Sequence, residues 1–229
     1  MSRLAITITL LSLLLVACGR PLSQTERKFA TTLFGAELSA NKVRVASFTA
    51  LSTLTSMRTK RPRTACRERI WPEPTTEKVT TFTAAFVLFN RINIAANLYR
   101  PDYLPKYPSE LSLPAAMLIA HELTHVWQWQ NRKKTGYSPL KAAREHRPGA
   151  DPYLLNLSSK SAFLDFPFEQ QSAIVEEYVC CQNLDPSGGR TKRLHEMLKT
   201  ALPIATIGAQ ISTAVTVPWS GVERAGICA

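Results

Sequence analysis

His121-Glu122-Leu123-Thr124-His125 is an H-E-x-x-H motif inside a predicted helix over residues 113 to about 134. Two histidines four residues apart project from the same helical face, so their ring nitrogens can bind one zinc ion. Glu122 would then lie beside the ion, where it can take a proton from an activated water. The alternative is a chance match in which both histidines are ordinary helix residues. The apolar residues 115–120 indicate a buried helix, where unpaired polar side chains are costly, and this favours the zinc site.

The N-terminus indicates export. Residues 1–3 provide a positive start, and the apolar run over residues 4–17 has the length of a signal peptide rather than of a membrane span. The run ends in Leu15-Val16-Ala17-Cys18-Gly19, which resembles the lipobox of bacterial lipoproteins. We therefore predict a lipoprotein signal peptide over residues 1–17 and a lipid on Cys18. A plain signal peptide beside an incidental cysteine is the alternative.

The predicted lipid sets the expected location. Acyl chains on Cys18 would hold the protein at a membrane of the bacterial cell envelope, facing the periplasm. Gly19 follows the cysteine where an aspartate would signal inner-membrane retention in some bacteria, and this favours the outer membrane.

The charge of the chain is strongly positive. The net charge is +11, and the basic residues cluster in residues 58–69, 132–134, 141–147 and 190–193. Such runs in a cytoplasmic protein would raise nucleic-acid binding, but an exported protein is not expected to meet nucleic acid. An anionic envelope polymer or lipid is a nearer partner, and solvated loop charge is the plainest interpretation.

The cysteines agree with export. Without Cys18, four remain, an even number suited to an oxidising compartment: Cys66, Cys180, Cys181 and Cys228. A bond between the neighbours Cys180 and Cys181 would be strained, so we expect Cys66 and Cys228 to reach that pair. Zinc ligation by these cysteines is the rival interpretation, but no C-x-x-C is present and the H-E-x-x-H motif already accounts for a metal.

The mature chain is long enough for one well-buried domain. We predict a tether over residues 18–24, a domain over 25–183, and a C-terminal extension over 184–229 that packs on it. Its tail, residues 201–219, contains no charged residue, but its low hydrophobicity argues against a membrane span.

The sequence pattern also predicts the elements of the domain. Helices are expected over residues 25–38, with Ser23 and Glu26 as a capping box, and over about 168–182. A short strand is expected at residues 43–45, and a hairpin at 84–88 and 92–96. Residues 56–77 and 135–165 are expected to be irregular or loop-like.

A catalytic zinc needs a third protein ligand and an open position for water. No third histidine follows His125 at a short spacing, so we expect a carboxylate from the second helix. Glu169 is isolated among apolar neighbours at the start of that helix and is the predicted ligand, with Glu176 in reserve. The alternative is that both are surface carboxylates.

Several stretches together resemble a known family. They are Leu22-Ser23-Gln24-Thr25-Glu26, Phe34-Gly35, Val43-Arg44-Val45, the hairpin, Ala120-His121-Glu122-Leu123-Thr124-His125-Val126-Trp127-Gln128 and Glu169-Gln170-Gln171. Residues 22–182 are similar to the bacterial zincin-like domain of uncharacterised function associated with extracellular contractile injection systems. The resemblance implies an α+β metallopeptidase fold of the gluzincin type, in which a later glutamate completes the site. Related gluzincins carry an aspartate four residues after that glutamate, whereas this chain has Ala173, so the histidines must be supported from elsewhere.

The predicted function is hydrolysis of a peptide or protein substrate by a zinc-activated water, with Glu122 as general base. The candidates for steadying the oxyanion are Tyr137, His146, Tyr153 and Tyr178. The strand at residues 92–96 is expected to pair with an extended substrate. Two alternatives stay open: a catalytically silent zinc-binding envelope adaptor, and an amidase acting on cell-wall peptides.

Overall fold

The computed structural model describes residues 19–147, 150–156, 161–208, 212 and 214–229, with the backbone alone at residues 51 and 52. The predicted signal peptide over residues 1–17 and the predicted lipidation site at Cys18 therefore lie outside the described residues. The described chain mixes helices and small sheets, so the predicted α+β class is confirmed.

The strands of the described residues are short and fall into three sheets. In chain order they are β1 (Arg20–Pro21), β2 (Arg44–Phe48), β3 (Thr55–Thr59), β4 (Lys78–Phe82), β5 (Ala85–Leu88), β6 (Arg91–Ala95), β7 (Glu110–Ser112) and β8 (Ala214–Thr216). The largest sheet has the order β1-β2-β6-β5, in which β2 and β6 are parallel and the other pairs are antiparallel.

One face of this sheet forms part of the core. Val45, Ile92 and Val87 lie side by side in register, and all three are buried. Alternate residues point to the opposite face, which carries the exposed Phe48, Phe86 and Leu88. The predicted hairpin of β5 and β6 is confirmed.

Seven helices of the α type occur in the described residues. They are α1 (Gln24–Phe34), α2 (Cys66–Arg69), α3 (Leu113–Gln130), α4 (Arg132–Thr135), α5 (Pro139–Ala143), α6 (Phe168–Leu184) and α7 (Gly189–Lys199). The motif helix α3 contacts both β5 and β6 on one side, and it packs extensively against α6.

The start of the described chain is built into the fold rather than forming the expected tether. Residues 20 and 21 form β1, and Leu22 is buried. Ser23 caps α1 and forms the predicted capping box with Glu26. Glu26 also binds the Arg20 guanidinium and the Tyr103 backbone N–H, so this segment is anchored by buried polar bonds.

Two predicted helices end earlier than expected. α1 stops at Phe34, where Gly35 adopts a positive φ of 50° and a short 3-10 turn follows. α3 stops at Gln130 because the Asn131 side chain donates to the Trp127 carbonyl and closes the helix. The residues expected to continue it form the separate turn α4.

Two segments expected to be irregular contain regular structure. Residues 56–77 include most of β3 and all of α2, and residues 135–165 include α5. β3 is stabilised by β4, which lies about twenty residues later, so a local pattern does not reveal it. α2 is held by Glu177, whose carboxylate accepts from the backbone N–H groups of Cys66 and Arg67.

The C-terminal residues pack against the domain through a strand and a disulfide. β8, within the tail, pairs in parallel with β7 just before the motif helix. Cys66 bonds with Cys180 and Cys181 bonds with Cys228, which confirms the predicted pairing with the adjacent cysteines. Among the described helices, none is both long enough and apolar enough to cross a bilayer.

Candidate metal centre

Three side chains converge where α3 packs on α6. The Nε2 atoms of His121 and His125 lie 3.4 and 3.2 Å from the same carboxylate oxygen, Oε2 of Glu169. All three residues are buried, and together they form a group that could hold a metal ion. The helical spacing places the two histidines on one face of α3, and Glu169 comes from the first turn of α6.

The geometry fits a small tetrahedral ion. Ligand atoms about 2.0–2.1 Å from a tetrahedral zinc are separated from one another by about 3.3 Å. The separations of the two histidine nitrogens from the Glu169 oxygen, 3.4 and 3.2 Å, match that value. Two imidazole nitrogens and one carboxylate oxygen are also a donor set that zinc uses in catalytic sites.

The electrostatics of the site favour positive charge. Burial alone would lower the pKa of His121, but its contacts with Glu169 and Glu176 raise that pKa to about 10. Burial would raise the pKa of Glu169, yet the neighbouring histidines, His125 first, hold it well below its ordinary value. A site that stabilises a proton on a histidine so strongly will also stabilise a cation in its place.

His121 is oriented by a second carboxylate. Its Nδ1 lies 3.4 Å from Oε2 of Glu176, and Arg67 donates to that same oxygen at 3.2 Å. Glu176, the predicted reserve ligand, therefore contacts the outer nitrogen of His121 and does not lie beside Glu169. A carboxylate on the outer nitrogen of a ligating histidine fixes the ring and increases its basicity.

His125 is oriented by an amide on its own helix. Its Nδ1 lies 2.9 Å from Oε1 of Gln128. The Gln128 amide nitrogen donates to the Phe168 carbonyl and to Oε1 of Gln171, which sets the orientation of the amide. Nδ1 of His125 is therefore the donor, and Nε2 keeps its lone pair for a metal. The Gln128 amide thus orients a histidine, a role that Ala173 cannot fill because its side chain has no polar group.

Glu169 is held from the loop before α6. His146 Nε2 lies 3.1 Å from Oε1 of Glu169, the oxygen that faces away from the histidine pair. Glu145 accepts from the backbone N–H groups of Phe168 and Glu169, so it caps the first turn of α6. Sequence reasoning missed Glu145 because a cap 23 residues distant leaves no local pattern.

Glu122 has the features of a general base. Its side chain is buried beside the histidine pair, and its Oε2 has no hydrogen-bond partner within the described residues. Burial raises the pKa of Glu122 above its ordinary value, with the nearby histidines opposing the shift. A buried carboxylate oxygen without a partner is costly and needs a reason, such as a water or a substrate group.

Three of the four oxyanion candidates lie near the site. The Tyr153 ring is 5.7 Å from the rings of both His121 and His146, and the Tyr137 ring is 6.1 Å from that of His125. Tyr178 does not take part, because its hydroxyl pairs with Nδ1 of the buried His195.

Two other expectations are corrected. β6 is paired on both sides, with β2 and β5, so it cannot add an extended substrate; the edge strands of the sheet are β1 and β5. The basic run at residues 58–69 is more than solvated loop charge. Arg61 binds Asp151 and lies over the Tyr153 ring, and Arg67 binds Glu176, so both arginines help to build the surroundings of the site.

Comparison with known proteins adds one structural likeness. No family model matches the chain, and no curated protein sequence matches it either. Among solved structures, the effector domain of Pseudomonas aeruginosa VgrG2b superposes with a TM-score of 0.48 at 23% sequence identity. The alignment covers 82% of this chain and 86% of that one.

Proposed function

We propose that this protein is a zinc-dependent metallopeptidase with a zincin-like domain, anchored in the bacterial envelope by a lipid on Cys18. The observation that carries the proposal is the convergence of His121, His125 and Glu169 on one point beside Glu122. The anchor rests on the lipobox-like stretch at residues 15–19. The two disulfides are consistent with an oxidising compartment.

The ligand set leaves room for catalysis. Three protein ligands with an open fourth position are typical of catalytic zinc sites, whereas structural sites are closed by four. Zinc bound there would lower the pKa of a water toward neutrality and polarise a peptide carbonyl. Gln128 and Glu176 keep the two imidazoles in the orientation that metal binding requires.

Groups of the protein itself carry out proton transfer, stabilisation of the oxyanion and binding of the peptide. Glu122 accepts the proton of the attacking water on its unpartnered oxygen and delivers it to the leaving amine nitrogen. Tyr137, His146 and Tyr153 surround the histidine pair, so one of them can donate to the carbonyl oxygen as charge develops on it. The open edge of β5 offers backbone groups to an extended peptide.

The test separates an enzyme from a zinc-binding adaptor. The purified lipoprotein is loaded with zinc and incubated with an unfolded protein, and new N-termini are identified by mass spectrometry with and without a chelator. We expect Glu122→Gln to keep one zinc ion per chain and to lose cleavage by at least about a hundredfold, the effect of removing a general base.

Other results of this experiment would favour one of the alternatives or overturn the mechanism. Zinc without any cleavage by the wild-type chain would favour the adaptor. Cleavage of cross-linked wall peptides alone would favour the amidase. A wild-type chain that binds no zinc, or equal cleavage by the Glu122→Gln variant, would overturn the proposed mechanism.

A further inference from the structure

We propose that one face of the four-stranded sheet lies on the lipid bilayer when Cys18 is acylated, and this inference rests on the lipid anchor of the proposed function. We define the open sheet face by Arg44 and Phe48 of β2, Phe86 and Leu88 of β5, and Arg91 of β6. These positions alternate with the core residues Val45, Val87 and Ile92, so they all point away from α3.

The open sheet face presents large apolar side chains to the surroundings. Phe48, Phe86 and Leu88 are 41%, 37% and 44% exposed, and the two phenylalanine rings meet edge-on at 5.5 Å. An apolar cluster of this kind is costly in water and is the feature that marks membrane or partner contacts.

The charge around the cluster favours an anionic bilayer. Arg44 and Arg91 flank the apolar residues, and the surrounding sequence carries no acidic residue from 38 to 67 or from 78 to 101. β2, β3, β4, β5 and β6 all lie within these two stretches. Basic residues around exposed aromatic ones are what binds a protein to a surface of anionic phospholipid.

The chain enters the fold at the open sheet face. A Cβ atom on Gly19 would lie 2.7 Å from the Val45 carbonyl oxygen and 3.2 Å from the Ala46 Cβ, so Gly19 is pressed against β2. Ala46 has the same parity along β2 as Arg44 and Phe48 and belongs to the same face. Cys18 is the next residue, and neighbouring Cα atoms are about 3.8 Å apart.

Because Cys18 is so close to the fold, no flexible tether lets the domain turn freely relative to the lipid. Residues 20 and 21 are paired with β2, and Leu22 is buried, so the fold begins one residue after the lipid-bearing cysteine. Acyl chains on Cys18 would therefore bring the surface around Gly19 to the headgroups, and the neighbouring phenylalanines with it.

The same orientation points the metal centre away from the membrane. α3 packs on the core side of the sheet, and the candidate ligands lie where α3 meets α6. A substrate would then reach the zinc from the aqueous compartment rather than from the bilayer.

The experiment maps lipid contacts without changing the protein. The acylated protein is reconstituted in vesicles of phosphatidylethanolamine and phosphatidylglycerol that contain a phospholipid with a photoreactive group in its acyl chain. Adducts are located by peptide mass spectrometry. We expect adducts at Phe48 and at residues 86–88 to exceed those at Leu140, which is 62% exposed on α5, by about tenfold.

Variants then test the contact itself. Phe86→Asp with Leu88→Asp should lower the adducts at Phe48 by about tenfold, whereas the matched control Leu140→Asp should leave them unchanged. Because all three side chains are exposed, both variants should fold, which circular dichroism checks.

The outcomes are distinguishable. An acylated Cys18 with equal adducts at Leu140 and the open sheet face, or with adducts at neither, would overturn the inference and leave the anchor intact. Protein–protein cross-links between two copies of the face, without lipid adducts, would overturn it in favour of a dimer. An N-terminal peptide without acyl mass would overturn the anchor, and the inference would fall with it.

Discussion

At the scale of single residues, the candidate site depends on the side chains that contact the outer atoms of the candidate ligands. Each candidate ligand has its outer atom occupied: Nδ1 of His121 by Glu176, Nδ1 of His125 by Gln128, and Oε1 of Glu169 by His146. The inner atoms are left facing one another. Partners of this kind fix the ring orientation before a metal binds, which lowers the cost of binding.

The two carboxylates on α6 should differ in their effect on zinc. Glu169→Ala removes a proposed direct ligand, so we expect zinc binding to be lost under conditions that saturate the wild-type chain. Glu176→Ala removes the carboxylate that contacts His121 and Arg67 but not a proposed ligand, so zinc should bind about 10–100-fold more weakly. Competition with a chromogenic chelator measures both. If Glu176→Ala loses zinc and Glu169→Ala keeps full affinity, the assignment of the two residues is reversed.

The Gln128 amide should matter for the metal through its contact with His125. Gln128→Ala leaves Nδ1 of His125 without its 2.9 Å partner, and we expect zinc affinity to fall about 10–100-fold. Gln130→Ala is the matched control, because Gln130 is an amide on the same helix that bonds with Ser39 and Asn90 instead. Equal zinc affinity in the two variants would contradict the assigned role.

At the scale of elements, the metal centre depends on how the first turn of α6 is held. The helix begins after Pro167, and the backbone N–H groups of its first two residues are bound by the Glu145 carboxylate rather than by an adjacent cap. The same loop carries His146. The loop thus caps the helix and orients the ligand that the helix supplies.

Removing this cap should affect stability and metal together. Glu145→Ala should lower the free energy of unfolding by about 1–2 kcal/mol, the usual effect of losing a helix cap. Because Glu169 is in the freed turn, zinc affinity should fall as well. Urea unfolding with and without zinc measures both quantities. Glu196→Ala is the control, since that exposed carboxylate pairs with the exposed Lys199 and its loss should cost less than about 0.5 kcal/mol.

The elements that sequence predicts are those whose pattern is local. α3 and α6 follow from long helical segments with clear starts, and β5 and β6 follow from two runs of strand-forming residues around a short turn. β3, β4 and β8 are stabilised by partners far along the chain, so their own residues do not predict a strand. The candidate site divides in the same way: the two histidines follow from motif spacing and Glu169 from its position at the start of a predicted helix, whereas Glu145 and the role of Gln128 depend on tertiary contacts.

At the scale of the whole molecule, the two disulfides differ in how they relate to the candidate metal centre. Cys66 precedes Arg67, and Arg67 binds Glu176, the carboxylate behind His121. The Cys66–Cys180 bond therefore holds the start of a chain of contacts that ends at a ligand. The Cys181–Cys228 bond instead ties the C-terminus to the far half of α6, away from Glu169.

This difference leads to a prediction with an internal control. The bonds close loops with sequence separations of 114 and 47 residues, so they should stabilise the fold by about 5 and about 4 kcal/mol, respectively, in the chain-entropy description. The paired variants Cys66→Ala with Cys180→Ala, and Cys181→Ala with Cys228→Ala, should lose similar amounts of stability in urea unfolding. Only the first pair frees the segment that carries Arg67, so its zinc affinity should fall about tenfold more than that of the second pair. A larger loss of zinc in the second pair would show that the path through Arg67 and Glu176 does not control His121.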